Sequence, residues 1–216
     1  MTWSLNETEA LARKAARGAG LSWGLAEEAG KATRWLCSAG LPGPAALAGL
    51  LTQNDGTDYG QLCPTNTDGP WQARGGMLCP LSAGAALCDR ADDLAAGSAV
   101  ILRNVAYPLL LVPFVAVASE MSGSTLTLRW GDVVTIHRGE EAWLGATSTA
   151  LAAPLAEEAH VECASVPTGQ PLQRLYRGAM DAQTSDILGK FAHRTYAPDT
   201  PESRMAGAGA GTSDND

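Results

Sequence analysis

The stretch Thr125-Leu-Thr-Leu-Arg-Trp-Gly-Asp-Val-Val-Thr-Ile-His-Arg138 decides the fold class. Two runs of β-favouring residues flank the turn dipeptide Gly131-Asp132, so the pattern predicts an antiparallel hairpin. A two-residue loop would set Thr135 and His137 opposite Leu128 and Leu126 and mix the faces. A three-residue loop, Gly131-Asp132-Val133, pairs Trp130 with Val134 and Leu128 with Ile136. It gathers Thr125, Thr127, Arg129, Thr135 and His137 on one polar face. Because a one-residue slip turns over every side chain, the second register is expected.

Strands are expected on either side of this hairpin, at Ala99–Arg103, Leu109–Ala118 and Ala159–Val166. Leu109–Ala118 is apolar on both faces, which requires both to be covered, and its Pro113 then calls for a bulge. Further upstream the pattern is helical. Asn6, with Glu9 three residues later, has the form of a capping box for a helix reaching Arg17, where Gly18 and Gly20 stop it. A second helix starts at Ser22 and runs to about Ser38, with Leu25, Ala29, Ala32 and Leu36 on one face and a Glu27–Lys31 pair on another. Gly24 and Gly30 inside it weaken it and suit close helix contact. A short helix fits Pro44–Leu51, with proline at a tolerated first position. Residues 52–80 are turn-rich and carry little regular structure. Helices are expected again from Ser82 to about Ala95, closed by Gly97, and from about Thr184 to His193. Beyond Pro198 the Gly/Ala-rich acidic end cannot support a packed element.

The 216 residues carry 15 basic against 23 acidic groups, a net charge of −8. That balance argues against binding a phosphate backbone or an anionic membrane surface. The excess is downstream: residues 1–50 hold 5 basic and 4 acidic groups, leaving 10 and 19 for the rest. The longest apolar run, Val105–Ala118, is 14 residues and contains two prolines. A membrane-crossing helix needs about 20 apolar residues, and the N-terminus lacks the pattern of a signal peptide. Five cysteines without a Cys-x-x-Cys pair fit neither a disulfide scaffold nor a zinc ribbon, so a reducing cytoplasm is expected.

Few residues offer chemistry. Leu62-Cys63-Pro64 and Leu78-Cys79-Pro80 repeat a tripeptide, and Cys88 follows. Thiolates could act as ligand or nucleophile, yet the ligand spacing of zinc sites is missing, and buried cysteine behaves as a small hydrophobe. The histidines are His137, His160 and His193; none lies in a ligand motif or beside a nucleophile elbow. His137 shares its expected polar face with Arg129. Ala16, Gly20, Leu21 and Ser22 have roughly the spacing of a helix-turn-helix, but Glu27 and Glu28 near the start of the second helix oppose phosphates. The glycines of the tail lack the lysine and following helix of a phosphate loop.

The run Glu9-Ala-Leu-Ala-Arg-Lys-Ala-Ala-Arg-Gly-Ala-Gly-Leu-Ser-Trp-Gly-Leu-Ala-Glu-Glu-Ala-Gly30, together with Leu78-Cys79-Pro80-Leu81 and Gly207–Asp216, resembles an uncharacterised bacterial family of proteobacterial type. The resemblance implies no activity, cofactor or site residue.

The expected architecture is α+β: an N-terminal helical segment packed against a mainly antiparallel sheet, then a C-terminal helix and a flexible tail. The divisions are 1–54, 55–198 and 199–216. The expected function is that of a non-catalytic accessory or small-molecule-binding protein of bacterial metabolism, self-associating or docked on a metabolic enzyme. No cofactor, metal, nucleic acid or membrane is expected. The alternative is a small-molecule hydrolase or lyase with Cys79 as nucleophile and His137 or Asp89 as acid/base. A third reading is a DNA-binding regulator.

Overall fold

The first helix begins where an extended segment ends. In the computed structural model, which describes residues 2–164 and 169–196, β1 (Thr2–Ser4) leads directly into α1 (Leu5–Gly18). Ser4 Oγ accepts from the Glu7 amide at 3.2 Å, and the Glu7 carboxylate accepts from the Ser4 amide at 2.9 Å. This capping box displaces the one expected at Asn6, because β1 holds the chain extended as far as Ser4. Asn6 instead accepts from Arg34 at 2.9 Å. Ser22 caps α2 (Trp23–Ser38) as expected, and Ala29, Ala32 and Leu36 are buried. A Cβ on Gly30 would lie 3.1 Å from Arg13 Cβ and Glu9 O, so this glycine allows the close approach of α1 and α2. The expected Glu27–Lys31 pair is replaced. Arg13 takes Glu27 at 3.1 Å, and Lys31 takes Glu28 at 2.8 Å.

After α3 (Gly43–Gln53) the chain is irregular save for a 3-10 turn at Tyr59–Gln61. The two Leu-Cys-Pro tripeptides meet here, the Cys79 amide donating to Leu62 O at 2.9 Å. The helix expected over Ser82–Ala95 starts earlier and is divided, as α4 (Pro80–Asp89) and α5 (Ala91–Ala95), with non-helical Arg90 between them.

Two expectations are overturned in the sheet half. The segment Leu109–Ala118 is helical: Pro108–Leu111 form a 3-10 turn and α6 spans Val112–Ser122. Tyr107, at φ 42° and ψ 63°, ends the preceding strand β2 (Val100–Ala106) in the left-handed region. Pro113 then falls in the first turn of α6, where an amide N–H has no helical acceptor to lose. No bulge is needed, and every residue of Leu109–Ala118 but Val117 is buried.

The second correction is the hairpin register. The strands β3 (Leu126–Trp130) and β4 (Val133–Arg138) are joined by a two-residue loop with Gly131 at φ 48°. Trp130 pairs with Val133, Leu128 with Thr135 and Leu126 with His137. Thr135 and His137 therefore sit on the core face, both wholly buried. They tolerate it because His137 Nε2 and Thr135 Oγ1 hydrogen-bond each other at 3.0 Å, which removes much of the cost of burying polar atoms.

The remaining elements are β5 (Glu141–Gly145), α7 (Ser148–Leu151), β6 (Leu155–Cys163), β7 (Gln170–Pro171), β8 (Arg177–Ala179) and α8 (Ala182–His193). Six strands form an antiparallel sheet in the order β2-β6-β3-β4-β5-β7, and β1 pairs separately with β8. α6 lies on the sheet over β3 and β4; α4 and α2 pack against α6, and α1 packs between α2 and α8. One continuous apolar core runs from Ala12 in α1 to Ala192 in α8. The fold is α+β, mainly antiparallel, with an N-terminal helical region. The expected strand end at Val166 and the expected tail over 199–216 lie outside the described residues. No helix among the described residues is long and apolar enough to cross a membrane.

Candidate functional site

Where α2, α6, the β4–β5 turn and the chain after β7 come together, they leave a cleft of ≈390 Å³. Its inner wall is His137. The residue is fixed from three sides, its ring by two of them. Thr135 Oγ1 holds Nε2, Ser119 Oγ on α6 donates to the His137 carbonyl at 2.9 Å, and Trp35 on α2 lies against the ring at 6.0 Å between centroids. Nδ1 is buried and has no hydrogen-bond partner among the described residues. Burial pushes the imidazole down to about 3, and the Arg174 charge adds to the effect. The ring is thus neutral at physiological pH.

Arg174 closes one side of the cleft. Its guanidinium stacks over Trp35 at 4.7 Å, donates to Ser38 Oγ at 3.0 Å and reaches Glu140 O at 3.4 Å. Glu120, Glu140 and Glu141 contribute the acidic part of the lining, while Ala116, Val117 and Ala142 supply apolar surface. Glu141 is held by Arg138 at 2.8 Å. The arrangement is a polar cleft with charges at its walls, a neutral imidazole at its back and an aromatic platform at its side.

Cys79 lies elsewhere, on a cavity of ≈80 Å³ lined also by Leu21, Leu50, Leu51, Tyr59 and Leu62. It occupies the N-cap position of α4, with Pro80 at the first turn. Burial pushes its thiol up, outweighing the Leu81 and Ser82 amides that act in the other direction. Tyr59 Oη sits near Cys79, Cys63 and Ser82 without a well-formed hydrogen bond, and burial pushes this phenol up as well. Asp89 is exposed at the opposite end of α4, about 15 Å along the helix axis at 1.5 Å per residue. The structure therefore brings Cys79 together with Cys63, and His137 together with Trp35 and Arg174. It does not bring Cys79, His137 and Asp89 to one cavity.

The other histidines are peripheral: His160 lies 3.5 Å from Glu158 on the outer face of the sheet, and His193 stacks on Tyr196. No group of three or more His, Cys, Asp or Glu side chains among the described residues could hold a metal ion. Sequence reasoning picked out His137 but missed Trp35, Glu120 and Arg174. Their meeting is long-range: Arg174 and Ser38 are 136 positions apart in the chain. No local spacing signals such a contact.

Residues 3–79 match the family described as Protein of unknown function (DUF3726), so the resemblance to an uncharacterised family holds over that segment. Every residue lining the Cys79 cavity falls within it, whereas the His137 cleft shares only Trp35. No curated protein matches the chain. Among solved structures, malate dehydrogenase from Entamoeba histolytica is similar at 11% identity and a TM-score of 0.37, over 67% of this chain and 45% of that one. The chain thus spans less than half the length of that structure.

Proposed function

We propose that the chain is a small-molecule-binding accessory protein of bacterial metabolism and that its ligand occupies the His137 cleft. The observation that carries this reading is the buried Nδ1 of His137, a polar atom without a hydrogen-bond partner among the described residues, on a residue lining a charged cleft. Buried polar groups are nearly always satisfied, and a bound molecule supplies a partner for this one. The hydrolase or lyase alternative has less support. A nucleophile needs a base within hydrogen-bond reach, and Cys79 shares its cavity with neither His137 nor Asp89. A DNA-binding regulator also has less support, since the net charge is −8 and the second helix carries Glu27 and Glu28.

The reading extends to a cytoplasmic protein that self-associates or docks on a metabolic enzyme. Val117, Met121, Leu175 and Tyr176 support it, being exposed on the two segments that supply Val117 and Arg174 to the cleft. Native mass spectrometry of protein purified from its own host tests the binding role. A small-molecule adduct is expected on the wild type and not on Arg174→Gln. Bare protein in both samples, or the same adduct on both, would remove the cleft from consideration.

A further inference from the structure

The charges of the His137 cleft are of both signs, and three of the four enter no ion pair among the described residues. Arg174 belongs to no ion pair among the described residues, and its two hydrogen bonds leave three of its five N–H donors for an incoming acceptor. The contact with Trp35 restrains the guanidinium, and its remaining N–H groups can donate to the oxygens of a carboxylate. Glu120, from α6, and Glu140, from the β4–β5 turn, line the same cleft and likewise enter no ion pair among the described residues. Glu141 alone of the three acids is neutralised, by Arg138.

We infer, building on the binding role proposed above, that the ligand is a small zwitterion of the amino-acid type, its carboxylate on Arg174 and its ammonium on Glu120 and Glu140. A simple anion would gain Arg174 but meet two uncompensated carboxylates in the same space. A simple cation would gain the carboxylates and meet the guanidinium. Only a ligand carrying both charges leaves none of the three groups opposed by a like charge. Ala116, Val117 and Ala142 receive the apolar part of the ligand, and the His137 ring meets its polar part without adding charge. The ≈390 Å³ volume is near the lower end of the ligand-pocket range of about 300–1,000 Å³, which suits a molecule of amino-acid size.

The test titrates the purified full chain with each standard L-amino acid and follows backbone amide NMR signals of the cleft residues. For the tightest binder, two relatives are then compared: the acid lacking its amino group and the amine lacking its carboxylate. The zwitterion is expected to bind at least about ten-fold tighter than either relative. Arg174→Gln should remove that binding. The double variant Glu120→Gln, Glu140→Gln should weaken the amino acid and strengthen the des-amino acid, a crossover that a merely structural role would not produce. Equal affinity for the amino acid and the des-amino acid would overturn the zwitterion in favour of a plain anion site. Failure of every amino acid to shift the cleft signals would also overturn it. A co-purifying adduct lost in Arg174→Gln would then leave the binding role standing, whereas its absence would end both.

Discussion

His137 and Cys79 are buried almost equally, at 0% and 3% exposure, in two cavities of one core. Around the imidazole stand a guanidinium, three carboxylates and an indole; around the thiol stand leucines and a phenol. Burial pushes both groups toward their neutral forms, the imidazole down and the thiol up. The shift in protonation therefore does not separate them. The surroundings do: next to His137 are charged side chains of both signs, and next to Cys79 are uncharged ones, Tyr59 among them.

The sharpest way to break this contrast is alkylation. Cys163 is exposed, and Cys79 is reached only when the core opens. Iodoacetamide near neutral pH should label Cys79 at least about 10³-fold more slowly than Cys163, since opening the core costs several kcal/mol. Mass mapping that found Cys79 modified first would return the nucleophile reading to the lead. Next in size is Cys79→Ser, which places a hydroxyl in that uncharged cavity. It should cost about 1–3 kcal/mol by denaturant unfolding if the hydroxyl finds no partner; an unchanged midpoint would mean the cavity is wet.

The His137 side is sharpened by pH. Its folded pKa of about 3 lies below the unfolded value of about 6.5, so the unfolded chain takes up a proton that the folded chain excludes. Stability from this group is intact above about pH 6.5 and falls as pH drops toward 3. Between pH 7 and pH 5 the wild type should lose about 2 kcal/mol more than His137→Gln. Parallel profiles would show that the ring titrates in contact with water. The smallest effect belongs to Arg174→Gln. Its side chain is exposed, so removing the stack on Trp35 should cost no more than about 1 kcal/mol while abolishing ligand binding. A large drop in Tm would make Arg174 a structural residue instead.

The N-terminal helices are legible because their signals are local: the Ser22 cap, the apolar face of α2 and the proline at the start of α3 can be read in single turns of sequence. Leu109–Ala118 is not, since a continuous apolar run has the same pattern as a buried strand or a buried helix. The deciding feature, the left-handed Tyr107, is invisible in an aromatic residue's identity. The hairpin register failed for a different reason. Threonine and histidine read as solvent-facing residues, and the Thr135–His137 hydrogen bond that lets both enter the core cannot be read from composition. That error also hid the site, because it turned His137 away from the cleft it closes.

The pairing of β1 with β8 has a consequence for how the protein is made. Thr2 and Arg177 lie 175 positions apart, yet their strands are neighbours, and α1 needs α8 beside it. At about 5–20 residues per second, a ribosome takes roughly 10–35 s to deliver the second strand after the first. Throughout that interval the opening segment of the chain has an unpaired edge and an uncovered helix, and so does any fragment that stops at residue 79. Completion of the helical layer is therefore a late event of synthesis.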